Sequence, residues 1–304
     1  MIRTRRLVLW SAIGVIAIIL AGAVVRASGS GYGCPHWPAC FEESFFPPTS
    51  DAQIPQRFLG DHRITVSKAW TEWINRLIGS LGGLVILAAT ISAWTEVRNR
   101  RLAWLITAAG LLTAFQAWQG ARVVKSELDP RFVTVHLLIA IVIFFMLLSA
   151  WLGLRGGAAP DHQPALPGLR RLARFVLGLG LAQFLFGALV RGTIDVLSGR
   201  GQRESTGALL DEVGAIDWLH RGLGFALMVA VFLLGLRLKA LASADHLLGR
   251  AATAAKIIVV AQLAAGLLLV EQGLSPAIQV IHVLLGCLLM AALYLQDRLL
   301  APGR

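Results

Sequence analysis

Charge is what this chain is short of. Asp, Glu, Lys and Arg together make up 15% of its 304 residues, against about 25% in an ordinary soluble domain. With 56% hydrophobic residues and a mean hydropathy of +0.69, the composition excludes a soluble fold and implies an integral membrane protein. Apolar runs near the ~20 residues that span a bilayer lie at roughly 7–26, 73–95, 102–121, 132–154, 173–191, 215–236, 253–270 and 277–296. The third and seventh are the weakest of these eight.

Acidic residues are scarcest on one side. With the N-terminus cytoplasmic, the inner segments (the start, 96–101, 155–174, 237–256 and the end) hold 16 Lys/Arg and 4 Asp/Glu, and the remaining outer segments hold 12 and 13. The balances, 16 − 4 = +12 inside and 12 − 13 = −1 outside, fix the orientation by the positive-inside rule. Both termini are then cytoplasmic, in the inner or plasma membrane of the cell. The same asymmetry accounts for the net charge of +11, so no nucleic-acid partner is expected. The first run comes after Arg3, Arg5 and Arg6 and ends in small residues, as a cleaved signal does. Its length and the seven runs behind it favour a retained span.

Of three cysteines, Cys34 and Cys40 fall in the first outer loop, on the oxidising side. They bracket Trp37 between two prolines, and a disulfide, a thiol pair and a metal clip all suit the spacing; a redox-labile disulfide in a lid is the favoured reading. Cys287 lies in the last run as a small packing residue. The loop, 28–69, has no low-complexity tract, and about 40 residues is long enough for a lid or a binding element. Lys125 to Pro130 reads as a tight outer turn, and Gly156 to Pro164 as the mid-chain linker.

The half of the chain after the linker repeats the half before it. Gly22-Ala23-Val24-Val25-Arg26 matches Gly187-Ala188-Leu189-Val190-Arg191 at an offset of 165. Glu72-Trp73-Ile74-Asn75-Arg76 matches Asp217-Trp218-Leu219-His220-Arg221 at 145, and Gln116, Gly120 and His136 match Gln262, Gly266 and His282 at 146. Four spans per copy give both copies the same orientation. The expected fold is all-α, eight transmembrane helices as two tandem pseudo-symmetric four-helix bundles. Residues 1–157 form the front half with its long outer loop, and 158–304 the back half.

Ionisable side chains inside spans are costly and tend to be functional. His136, His220 and His282 all lie in spans, near the outer end. A lone histidine there reads as a hydrogen-bonded core residue, but His220 and His282 stand at matching depth on the sixth and eighth runs. Two imidazoles facing each other across a bundle make a bis-histidine haem site. Zinc wants a third or fourth ligand, and only Asp217 is nearby. Arg26, Arg76, Arg191 and Arg221, at the same level, suit haem propionates or snorkel to the interface. The repeat predicts the same site in the front half at residues 75 and 136, where Asn75 replaces a histidine. His136 alone leaves an iron position open for chemistry, unless His36 or His62 from the loop completes it, whereas a bis-histidine iron is saturated and suits electron transfer. Glu72, one turn before Asn75, is either an acid favoured by the helix dipole or a carboxylate that relays a proton to the reacting group.

At these residues the chain resembles the haem A synthase family. The resemblance rests on Arg26 with Ser28-Gly29-Ser30-Gly31, the Cys34-Pro35-x-Trp37-Pro38-x-Cys40 loop, Glu72-x-x-x-Arg76, Asp217-Trp218-Leu219-His220-Arg221, and the placing of His136 and His282. It implies oxidation of the C8 methyl of haem O to a formyl group, giving haem A for cytochrome oxidase by successive hydroxylations and loss of water. It implies haem b as cofactor on His220 and His282 with Arg221 beside it, and substrate haem O at His136, Asn75 and Arg76, with Glu72 and His136 catalytic. Cys34 and Cys40 would form a disulfide. The chain departs from the family pattern at His36, where an acid is usual, and at Asn75, where a second front-site histidine is usual.

The reading is therefore a haem-dependent membrane oxidoreductase. Haem O synthase as the donor of substrate, membrane lipid, a quinone as electron partner and a homo-oligomer are the partners considered. Two rivals stand beside it: a catalytically idle haem carrier or assembly factor of the same fold, and a bis-haem electron-transfer protein linked to quinol.

Overall fold

The computed structural model describes residues 2–155, 167–198, 206–242 and 245–301. The mid-chain linker expected at 156–164, with His162, lies outside them. The regular structure of the described residues is helical, with eight long α-helices and one short one. The chain divides into two compact units, Met1–Arg155 and Gly156–Arg304.

In the first unit, α1 (Ile2–Ala27), α2 (Val66–Glu96), α3 (Arg100–Lys125) and α4 (Pro130–Leu154) form a ring in which each packs on the next and α4 returns to α1. The second unit repeats the ring with α5 (Pro167–Ser198), α7 (Ala215–Ala242), α8 (His246–Glu271) and α9 (Pro276–Leu299). The short helix α6 (Thr206–Val213), which the apolar runs do not foretell, lays Leu210 and Val213 against Val190, Ile194 and Leu197 of α5.

Seven of these helices are long and apolar enough to cross a membrane; α3 is as long as α1 but too polar to qualify by composition. On α2 the exposed face carries Leu77, Leu81, Leu84, Leu87 and Ile91. Their spacing of three and four makes one continuous apolar stripe, a surface that water disfavours and lipid does not.

Local signals set the ends. Thr65 caps α2 by accepting from the backbone N–H of Lys68, so the helix starts at Val66 and takes in Lys68 and Trp70, which hydropathy leaves to the loop. Asp129 caps α4 ahead of Pro130, and Ser275 precedes Pro276 of α9 at the same offset of 146, the first-turn proline being preset for a helix. The turns before them repeat as well: Glu127 and Leu128 have φ of 51° and 67°, and Gly273 and Leu274 have 65° and 60°. At the opposite end of the helices, Thr4 of α1 binds Ser92 and Glu96 of α2 through its hydroxyl at 2.7 and 3.0 Å, and Arg174 of α5 reaches Asp297 of α9 at 3.3 Å.

The outer loop folds into a small core of its own. Cys34, Cys40, Phe41, Ile54 and Ile64 are buried together with Ala69 of α2, and Tyr32, Phe58 and Trp73 pack around them. Gly33 allows this: a Cβ there would run into the backbone carbonyl of Lys68. A Cβ on Gly31 would stand 2.9 Å from Leu128 of the next outer turn.

Candidate functional site

Three of the front-half candidates, Glu72, Asn75 and Arg76, lie on the first turns of α2, beneath the loop, and the fourth, His136, lies on α4. The Glu72 side chain points inward and is 7% exposed, held by Arg76 Nε donating to Oε1 at 2.8 Å and by Asn75 Nδ2 donating to Oε2 at 3.3 Å. The remaining guanidinium nitrogens of Arg76 donate to loop backbone: Nη1 to the carbonyls of His36 at 2.6 Å and Ala39 at 3.1 Å, Nη2 to that of Cys34 at 2.7 Å. Arg76 is thus bonded to the acid below and to the loop above, and the sequence reading of it as a propionate partner gives no hint of that role. Cys34 and Cys40 are joined by a disulfide, so the three carbonyls that Arg76 binds belong to a closed ring of chain.

On the facing pair of helices, Gln116 and Gln119 of α3 donate to the backbone carbonyls of His136 (2.5 Å) and Phe132 (3.2 Å) on α4. His136 is half-buried, and a Cβ on Gly120 would lie 3.4 Å from its Cε1. His36 and His62 remain in the loop, where both use backbone carbonyls as acceptors, for Arg76 and for Lys68 Nζ.

In the second unit His220 of α7 and His282 of α9 face each other with ring centroids 6.5 Å apart. A first-row metal binds imidazole nitrogen at about 2 Å, so an iron between two such rings sets their centroids roughly 6 Å apart; the spacing fits. Two further observations fit a ligand here. Nδ1 of His136, His220 and His282 is shut off from solvent, and the backbone of Gln183 and of Gln262 is within hydrogen-bonding reach of His220 and His282. A Cβ would meet the ring of His220 at 2.9 Å from Gly187 and that of His282 at 3.4 Å from Gly266, so bare backbone makes room for each imidazole. Among the described residues no three His, Cys, Asp or Glu side chains are grouped to hold a bare metal ion.

Asp217 and Arg221, the echoes of Glu72 and Arg76, pair at 2.7 Å, but Arg221 is 41% exposed and stacks on Trp218. Arg191 pairs with Asp195 at 2.6 Å. Depth in the spans and the repeat point to the histidines from sequence. Gln183, the α5 counterpart of Gln116 and Gln262, escapes that reading because its match in the front half is Ile18; only the offset of 165 exposes the correspondence.

Comparison with known proteins gives the chain a family. Residues 5–294 match a family described as cytochrome oxidase assembly protein, COX15-CtaA. A protein of Shewanella oneidensis named Heme A synthase is 30% identical over 205 residues, which are 66% of this chain and 61% of that one. One of the same name from Alkalihalophilus pseudofirmus is 28% identical over 293 residues, 93% of this chain and 92% of its own. A third, from Granulibacter bethesdensis, is 26% identical over 256 residues, 73% and 68% of the two chains. The chain therefore spans under two thirds of the Shewanella protein and nearly all of the Alkalihalophilus one. Because the family match runs from the first turn of α1 into α9, the chain belongs to the COX15-CtaA family of cytochrome oxidase assembly proteins.

Proposed function

We propose that this chain is a haem A synthase, an enzyme that oxidises the C8 methyl of haem O to a formyl group for cytochrome oxidase. The observation that carries the reading is the unequal pair of sites: two facing histidines in one unit, and in the other a single histidine with a buried acid. His220 and His282 would hold a haem b, whose saturated iron supplies one-electron transfer when bound. His136 would hold the substrate haem O from one side.

The residues around that substrate have separable tasks. Glu72 is buried next to a guanidinium and an amide, and so stays placed to take or relay a proton at the methyl group. Asn75 orients it. Arg76 keeps the disulfide loop closed over this end of α2, which keeps water from the reacting carbon. The chain would cross the cell membrane eight times as two tandem four-helix bundles, residues 1–157 and 158–304, with both termini cytoplasmic and the haem sites near the outer face. Haem O would arrive from its synthase, and a quinone suits the electron partner in this setting.

Asn75 also favours a second reading, a haem carrier that kept the fold and lost the chemistry. One experiment separates the two. Membranes from cells that make haem O but lack a haem A synthase, given this protein, should yield haem A or its hydroxylated precursor on pigment extraction. Haem O alone, from membranes in which the protein carries its haem b, would overturn the enzyme and leave the carrier.

A further inference from the structure

The three histidines and Asn75 stand at four equivalent places, and each is served by the helix before it in its ring. On α8, Gln262-x3-Gly266 lies against His282-x3-Gly286 of α9, where a Cβ on Gly286 would stand 3.6 Å from Gln262 Nε2. On α5, Gln183-x3-Gly187 lies against His220-x3-Gly224 of α7, where a Cβ on Gly224 would stand 3.1 Å from Gln183 Nε2. On α3, Gln116-x3-Gly120 lies against His136-x3-Ala140 of α4, with Gln116 bonded to the His136 carbonyl. A spacing of four puts both members of each pair on one helix face. The glycine admits the ring, and the glutamine fills the next turn along.

Each of these glutamines has its Oε1 shut off from solvent without a partner, while the main chain of Gln183 and of Gln262 is the hydrogen-bond partner of the His220 and His282 rings. An imidazole that binds metal through Nε2 carries a proton on Nδ1 and requires an acceptor for it. In the two back-half copies the glutamine supplies that acceptor through its main chain, and in all three its side chain occupies the turn beside the histidine.

The fourth copy keeps the glycines and changes everything polar. It reads Ile18-x3-Gly22 on α1 against Asn75-x3-Gly79 on α2. A Cβ on Gly22 or Gly79 would meet nothing within 4 Å, and Ile18 Cδ1 instead lies 2.5 Å from where a Cβ of Gly82 would be. Asn75 turns its amide to Glu72. The ligand and its partner have been replaced together, on two different helices.

We infer that these are four copies of one mount for a haem ligand, in which Gln116, Gln183 and Gln262 are positioning residues, and that the Ile18–Asn75 copy is disabled on both helices so that the substrate haem has one histidine. The inference rests on the haem reading above. It makes Asn75 a residue redirected from iron to Glu72, and it makes a histidine at that place insufficient on its own.

The test uses the full chain purified in detergent with its haem, read by electron paramagnetic resonance and by haem loss to apomyoglobin. Gln183→Leu and Gln262→Leu, which disturb the helix turn that carries the acceptor, should weaken haem retention about 10- to 100-fold and convert low-spin iron to high-spin, while Gln183→Glu, which keeps the length and polarity of the side chain, should stay low-spin. Asn75→His alone should add no second low-spin centre; Ile18→Gln with Asn75→His should add one. The back-half signal in the same sample reports folding of the front-half variants. A full second low-spin centre in Asn75→His alone overturns the paired mount. Haem retention that is lost in His220→Ala and His282→Ala but untouched in both glutamine variants overturns this inference alone; retention that survives all of them overturns the haem assignment with it.

Discussion

Arg76 and Arg221 hold the same place in two copies of one motif, and their surroundings make them different residues. Arg76 has a side chain 13% exposed and four hydrogen bonds, one to a buried carboxylate and three to loop carbonyls. Arg221 is 41% exposed, with one carboxylate partner. Removing one member of a buried pair strands the other in a poorly solvated place, at a cost of about 3–5 kcal/mol, whereas exposed pairs contribute about 0–1 kcal/mol. Arg76→Met should therefore lower stability by about 3 kcal/mol and Arg221→Met by less than about 1 kcal/mol, measured by denaturant unfolding in detergent. The Arg76 variant should also show faster reduction of the Cys34–Cys40 disulfide by an added thiol, since the loop loses its hold. Equal losses in the two variants would mean that the loop carries no energy through Arg76. Both arginines are legible in the sequence as charges at the mouth of a span. Their different fates are not, because the loop carbonyls that occupy Arg76 come from 37 to 42 positions away.

At the scale of the element, the outer loop owes its shape to residues without periodicity. Cys34, Cys40, Phe41, Ile54 and Ile64 are scattered among polar and proline residues, so no hydrophobic pattern announces a core, and only length and the Cys34–Cys40 motif mark the segment as important. Its edge is tied to the next outer turn by Arg63, which donates to Asp61 at 2.9 Å and to Glu127 at 2.8 Å. The side-chain bond from Arg63 is the largest influence on Asp61 and holds its carboxyl below the ordinary 3.8, against an opposing effect of burial. A depressed folded value means that the contribution is present above the ordinary carboxylate pKa and fades as pH falls through the lower folded one. Acidification from about pH 5 to about pH 3 should thus loosen the loop, seen as faster proteolysis between Phe41 and Arg63 by an acid-active protease. In Asp61→Asn the loop should be looser at the higher pH and change less on acidification. An unchanged pH response in that variant would place the acid sensitivity on other carboxylates.

For the whole molecule, the apolar runs and the repeat foretell the eight long helices well, because lipid-facing stripes such as Leu77 to Ile91 are written in hydropathy itself. The exception is α3, and its reason is physical. Gln116 and Gln119 lower its hydropathy, yet both amide nitrogens donate to carbonyls of α4, so the polarity that weakens the sequence signal faces the bundle and not the lipid. Interhelical bonds of this kind let a polar helix cross a membrane without exposing unpaired groups. At 26 residues and about 1.5 Å per residue, α3 also exceeds the ~30 Å hydrocarbon core. It should therefore cross, which puts Asn99 and Glu127 on opposite sides. An alkaline phosphatase fused after Glu127 should be active and one fused after Asn99 inactive, with a fluorescent protein giving the reverse pattern. If α3 lay along the surface, both junctions would report the same side and every later helix would invert. Arg298, near the end of α9, would then face outward, against the charge balance of +12 and −1 that the eight-span arrangement satisfies.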